Sequence, residues 1–367
     1  MKQMTTESLS DKSVRFLSRL LISSGTSDAS TPLVDSDVLA LTRPDFESLV
    51  ALAETNHVLV RGIGALKDFS QHCGDELRQG WAEAALATEK RRIRIALSFL
   101  AQICEAFERR GLNVAVIKSL DHLPDLGSDL DLYTDAKQDD VIRLMETEFR
   151  AQIASRSWGD RLASKWNFIV PGLPELVEIH VGRLGQTGEQ SAIAVSLLKR
   201  SRTISVDGQR FEVPSVSDRL LISTLQRMYR HFYFRLCDIM DSASLVEDGL
   251  VDWQDLYTEA TAAGIWEGAA TYLMIVSDYW ERYRGIPLAL PQHVLKSARF
   301  RGEEIYFAKD FLRVPVLPQS AMLYGTQLAT VIRRKQIKSS ARLSLLPWLA
   351  TAALVGQKIT GSDKGVW

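Results

Sequence analysis

The chain has 367 residues, a net charge of −1, 46% hydrophobic and 24% charged residues, a profile that fits a soluble globular protein long enough for two or three domains. Near-neutral charge gives no sign of bulk attraction to nucleic acid or anionic lipid, and no DNA partner is expected. The cysteines, Cys73, Cys104 and Cys237, are odd in number and widely spaced, which argues against a disulfide framework or a zinc site and fits a reducing cytoplasm.

In chain order, the polar N-terminus MKQMTTESLSDKS lacks the apolar core of a signal peptide. A helix is expected over roughly Ser13 to Ser23, then a Ser/Thr/Asp-rich loop. Pro44-Asp45 opens the next helix, with proline in the first turn and an early acid. The pattern stays helical to Gly111, with Ile93, Leu97, Leu100, Cys104 and Phe107 forming one apolar stripe. Gly111 is placed to end that helix in a left-handed cap.

The period then changes. Asn113 to Ile117 reads as a buried strand that stops at Lys118-Ser119. A loop containing Pro124 leads to Gly127-Ser128 and a strand over Asp129 to Tyr133. Residues 136–149 read as a helix with Val141, Leu144, Met145 and Phe149 on one side. Phe168 to Val170 and Leu176 to Val181 form a hairpin around Pro171-Gly172-Leu173-Pro174. A second hairpin pairs Thr203–Val206 with Arg210–Val213 around Asp207-Gly208, a strong two-residue turn signal. From Ser215 the chain is helical again, with an apolar stripe over Leu221, Leu225, Met228, Phe232, Leu236 and Ile239. Further helices cover Trp253–Gly264, capped by Asp252, and Ile265–Arg284. Helical signal weakens past Pro291. The apolar run Leu345 to Gly356 contains Pro347 and is too short to span a bilayer, so no stable membrane insertion is expected.

The chemistry concentrates on two strands. On a strand, Asp129 and Asp131 point to one face, where two acids repel unless a cation lies between them. Mg²⁺ is the natural filler, since it takes one or two carboxylates plus substrate phosphates. On the later strand, Glu178 and His180 share a face while Val177, Ile179 and Val181 share the other. If the two strands are neighbours, Glu178 becomes the third carboxylate of a two-metal phosphoryl-transfer site, with ions about 3.5–4 Å apart. A lysine and turn amides at Lys118-Ser119 suit a phosphate. Arg227, His231, Arg235 and Asp238 step by four, four and three along an expected helix, flanked by Arg230 and Asp241. Their arginines suit a triphosphate or an anionic acceptor, and a solvated face with internal ion pairs is the competing reading. His57, His72, His122 and His293 are scattered and show no metal-ligand spacing. Arg333-Arg334-Lys335 with Lys338 reads as a solvated basic helix face.

The ordered set Val116-Ile117-Lys118-Ser119, Gly127-Ser128-Asp129-x-Asp131 and Val177-Glu178-Ile179-His180 resembles the nucleotidyltransferase superfamily related to DNA polymerase β. The closer resemblance is to a bacterial family of largely uncharacterised nucleotidyltransferases. In that family a helical region precedes a strand ending in Leu-Lys-Gly, then an Asp-x-Asp strand, an acid-x-His strand, and more helices. Residues about 45–280 follow that order. The resemblance implies an α+β fold: a small mixed β-sheet core at 112–214, an N-terminal helical region at 1–111, and a C-terminal helical domain at 215–367. It implies Asp129, Asp131 and Glu178 as the catalytic, metal-binding acids, with two Mg²⁺ ions and Mn²⁺ as the alternative. Lys118, Ser119, Gly127 and Ser128 would lie by the nucleotide phosphates, with Arg227, His231 and Arg235 closing one wall. Two departures stand out: Ser119 replaces the usual glycine, and the third acid is glutamate. The expected function is Mg²⁺-dependent transfer of a nucleotidyl group from an NTP such as ATP to a hydroxyl or phosphate of an unidentified small-molecule or peptide acceptor in the cytoplasm, releasing pyrophosphate. A toxin-type enzyme acting on tRNA and a non-catalytic nucleotide-binding protein are the alternatives.

Overall fold

The computed structural model of the protein describes residues 9–22, 35–308, 310–349 and 352. Ser23, the polar loop after it and most of the apolar run after Leu345 lie outside the described residues. Among the described residues, no helix is long and apolar enough to cross a membrane.

Among the described residues the N-terminal part is five helices: α1 (Leu9–Ile22), α2 (Asp35–Leu39), α3 (Arg43–Thr55), α4 (Leu59–His72) and α5 (Glu76–Arg109). Helix α3 starts where the sequence says it should. Thr42 accepts a hydrogen bond from the Asp45 amide, Asp45 accepts one from the Thr42 amide, and Pro44 needs no donor there. The stripe from Ile93 to Phe107 is buried on α5, and Gly111 (φ 67°) turns the chain just past its end.

The central sheet contains β1 (Ala115–Val116), β2 (Asp129–Thr134), β3 (Gln152–Ile153), β4 (Lys165–Ile169) and β5 (Leu176–Val181), in the order β1-β2-β5-β4-β3. Only β2 and β5 run parallel; the β1–β2, β5–β4 and β4–β3 pairs are antiparallel. The chain connecting the parallel strands includes α6 (Gln138–Phe149), which carries buried Val141, Leu144 and Met145, and the short α7 (Trp158–Leu162). Leu130 and Leu132 of β2, Val177 and Ile179 of β5 and Phe168 of β4 are fully buried on one face. The opposite face carries the acids. Helix α8 (Ser191–Leu197) leads to the expected second hairpin, β6 (Arg202–Val206) with β7 (Gln209–Val213), whose turn residues Asp207 and Gly208 both have positive φ, 49° and 79°.

The C-terminal helices begin with α9 (Val216–Thr224), capped by Ser215. Here the structure departs from the single long helix that the stripe Leu221 to Ile239 suggests. Residues Leu225–His231 widen into a π-helical turn. Phe232 adopts φ 55° and ends it, Tyr233–Phe234 form a short strand, and α10 (Leu236–Glu247) starts afresh after Arg235. The apolar periodicity holds for most of that stripe: Leu221, Leu225, Met228, Leu236 and Ile239 are buried, and Phe232, where the helix ends, is half-buried against the core. The strand Phe311–Arg313 pairs with Tyr233–Phe234 and draws that segment out of the helix, a long-range contact that overrides local propensity. Helices α11 (Trp253–Ala263) and α12 (Trp266–Arg284) follow, with Asp252 capping α11 as expected. One buried apolar cluster joins all three parts, from Val14 to Leu323.

Candidate active site

Parallel pairing of β2 with β5 puts Asp131 directly opposite Glu178 and Tyr133 opposite His180. Asp129 lies two residues before Asp131 on the same face. All three acids line one cavity of about 250 Å³, together with Lys118, Lys165, Arg227, Arg230, His231 and Arg235. A larger cavity of about 820 Å³ opens near Asp135 and Gly182, just past the opposite ends of the two strands, and contains none of these groups.

Two lysines sit among the acids. Lys118 Nζ pairs with Asp131 and lies 3.7 Å from Glu178 Oε1. Lys165 Nζ is 2.9 Å from Glu178 Oε2 and 2.7 Å from Asp160 Oδ1. His180 Nε2 is 3.0 Å from Glu178 Oε1. Burial pushes the Asp131 carboxyl up to about 7, with Lys118 pulling against it and the Glu178 charge reinforcing it. Burial also acts to raise Glu178, yet Lys118, His180 and Lys165 outweigh it and hold that carboxyl well below the usual range. Asp129 is pushed up by burial and by Glu178. Such a set of acids gains when more positive charge enters.

The loop between β1 and β2 is held under local strain. Lys118 has φ 64° and ψ −55°, and the Ser119 amide donates to Ile117 O at 2.7 Å. This is a γ-turn with positive φ, a costly backbone state, and it directs Lys118 onto Asp131. Ser119 is buried, not open to solvent. Its hydroxyl accepts from the Asp131 amide at 2.8 Å and donates to Asp129 O at 3.3 Å. Ser119 therefore fastens the loop to β2. Gly127 has a packing reason: a Cβ there would stand 3.1 Å from the His57 ring. Arg92 fixes the same loop, donating to Leu126 O at 3.0 Å and to Glu175 Oε1 at 2.5 Å.

Arg227, His231 and Arg235, expected along one helical stripe, do meet at the cavity, but from both sides of the interruption in the helix, while Asp238 stands behind Arg227. Arg227 is 2.7 Å from Asp238 Oδ2, each 2% exposed, so that arginine already has a carboxylate partner. His231 is held well below its ordinary value by burial and by Arg230, Arg227 and Arg235, so it stays neutral. Arg227 Nη1 and Arg235 Nε are buried donors with no hydrogen-bond partner among the described residues. Lys165 was missed in the sequence, where the hairpin begins at Phe168. The signal was present: Lys165 and Asn167 alternate with Trp166 and Phe168, as they should on a half-buried strand.

The fold and charge layout define a class: an α+β protein whose sheet gathers three carboxylates at a cavity walled by lysines and arginines, suited to a polyanionic phosphate substrate. Residues 42–281 match the family described as uncharacterised nucleotidyltransferase, and the chain belongs to that family. The match begins at the residue that caps α3 and ends inside α12. No curated protein matches the chain.

Proposed function

We propose that the protein is a Mg²⁺-dependent nucleotidyltransferase that moves a nucleotidyl group from an NTP to a hydroxyl or phosphate of an acceptor. The observation that carries this reading is the register of Asp131 against Glu178, with Asp129 on the same face. Three carboxylates in one cavity form the hard-oxygen donor set that Mg²⁺ takes. The ammonium of Lys118, paired with Asp131 and 3.7 Å from Glu178, marks a place that already accepts positive charge. Asp129, Asp131 and Glu178 would hold the ions, which when bound neutralise phosphate charge and lower the pKa of an acceptor hydroxyl.

The remaining roles belong to this chain's side chains. Lys165 and His180 hold both oxygens of Glu178 in place. A triphosphate draws Lys118 off Asp131 and onto its own oxygens. Arg230 and Arg235 bind further phosphate oxygens from the facing wall, while Arg227 shapes that wall through Asp238. Neutral His231 contributes a hydrogen bond and no charge. Ser119, Gly127 and Ser128 set the loop that the nucleotide lies against. The acceptor oxygen bonds to the α-phosphorus, the bond from that phosphorus to the bridging oxygen breaks, and pyrophosphate leaves. The acceptor proton passes to the carboxylate cluster.

Label transfer tests the reading. Purified protein with Mg²⁺ and cell extract as acceptor source should place label on a product from α-³²P NTP and not from γ-³²P NTP, and Asp131→Asn should abolish it. Retention of the γ label alone would replace nucleotidyl transfer with a kinase reaction.

A further inference from the structure

A second cluster lies beside the acids and uses different chemistry. His57, His122 and Cys237 each present one ligand atom, and the three atoms lie within 4.8 Å of one another. His57 sits in the turn between α3 and α4 with φ 53°, His122 in the single helical turn after Lys118, and Cys237 in the first turn of α10. One ligand thus comes from each of the three stretches 1–111, 112–214 and 215–367. Sequence separations this large match no motif spacing, which is why the sequence argues against such a site.

The surroundings support ligation. His122 Nδ1 is 2.5 Å from Asp241 Oδ2, the carboxylate partner that metal-bound histidines ordinarily have on the ring nitrogen turned away from the ion. Asp241 is fixed in turn by Arg61 Nη1 at 2.6 Å, and Arg61 Nε reaches Asp125 at 2.7 Å. His57 Nδ1 is buried without a hydrogen-bond partner among the described residues. Cys237 is fully buried, while His57 and His122 line the cavity.

We propose that His57, His122 and Cys237 form a site for a divalent transition-metal ion, Zn²⁺ in the first instance, with its fourth position open to the cavity. A thiolate with two imidazoles suits Zn²⁺ and not Mg²⁺, which wants oxygen. Bonds of about 2.0–2.3 Å are reached from this spread by small side-chain rotations. Binding converts the Cys237 thiol to thiolate and releases its proton to solvent. The ion would clasp the N-terminal helices, the Lys118 loop and α10 around the nucleotide cavity. The proposal does not depend on the assigned activity.

The full chain, free of any affinity tag, is tested for zinc by mass spectrometry after passage through metal-free buffer, and in parallel after loading with Co²⁺. The expected result is about one tightly held zinc per chain, with a near-ultraviolet thiolate-to-cobalt charge-transfer band on cobalt loading. Both should be lost in Cys237→Ser and kept in Asp131→Asn. A cobalt protein without the thiolate band overturns the proposal, and that reading needs no variant to fold. Zinc lost in Asp131→Asn but kept in Cys237→Ser also overturns it, by placing the ion on the acids.

Discussion

Asp131 on β2 and Glu178 on β5 face each other in parallel register, and Lys118 lies against both. The pair shares surroundings and differs in protonation. Glu178 has Lys165, His180 and Lys118 to hold its charge, and Asp131 has mainly Lys118. The proton is therefore kept on the Asp131 side until further positive charge arrives.

Removing one charge of this pair separates chemistry from stability. Asp131→Asn should lower nucleotidyl transfer at least about 100-fold, the upper end of what loss of even an outer metal contact costs. Its circular dichroism should stay unchanged, because Asn keeps the shape and the main-chain bond to Ser119. Undiminished label transfer would remove Asp131 from the site.

The Asp131 carboxyl, pushed by burial from its ordinary 3.8 to about 7, fixes a pH window. Between these values the native state binds more protons than the unfolded chain, so this group's contribution to stability is present below about 4 and is lost as pH rises through about 7. In metal-free buffer the Tm of Asp131→Asn relative to wild type should therefore rise from pH 4 to pH 7. A Tm difference that stays flat across this range would contradict the assigned protonation. Mg²⁺ should flatten it by stabilising the charged wild-type carboxylate.

Lys165 holds Glu178 and Asp160 together with only 8% of its side chain exposed. Lys165→Met leaves two buried carboxylates without their shared cation and should cost about 3–5 kcal/mol, the usual result of breaking a buried ion pair. Urea unfolding measures the loss, and Mg²⁺ should recover part of it. Equal stability of variant and wild type would show that the acids are satisfied without Lys165.

Arg227 and Arg230 lie three residues apart and should behave oppositely. Arg227→Ala strands buried Asp238 and should destabilise by about 3–5 kcal/mol. Arg230→Ala, at a half-buried position on the cavity wall, should change stability by less than about 1 kcal/mol and raise the KM for NTP. Steady-state kinetics and denaturant melts on the two variants distinguish the wall from the contact.

The π-helical turn is held from outside by α12. A Cβ on Gly268 would run into the Tyr229 ring, so Gly268→Ala should cost about 1–3 kcal/mol by overpacking. It should also weaken NTP binding, because Tyr229 and Arg230 are adjacent on that turn. A stability loss with unchanged NTP affinity would show that the turn tolerates displacement.

Much of this layout was legible from local pattern. The stripe from Ile93 to Phe107, the Thr42–Asp45 cap, the Asp207-Gly208 turn and the alternation of Asp129, Asp131, Glu178 and His180 each follow from a helix period, a cap or a strand period that neighbouring residues dictate by themselves. Register and convergence are not local. Nothing near Glu178 in the chain says that β5 lies parallel to β2 with Glu178 opposite Asp131, and nothing near Phe232 says that Phe311–Arg313 pulls Tyr233–Phe234 into a strand and breaks the helix. Ser119 lines the cavity as its place beside Lys118 suggests, and it also braces β2, because its hydroxyl meets the Asp131 amide, a bond no local pattern announces. His57, His122 and Cys237 are unremarkable where they stand in sequence and meet only because three distant segments pack on one core. Short-range periodicity selects the elements; which side chains share a cavity is decided by long-range burial, which ranks pairings that the sequence leaves equivalent.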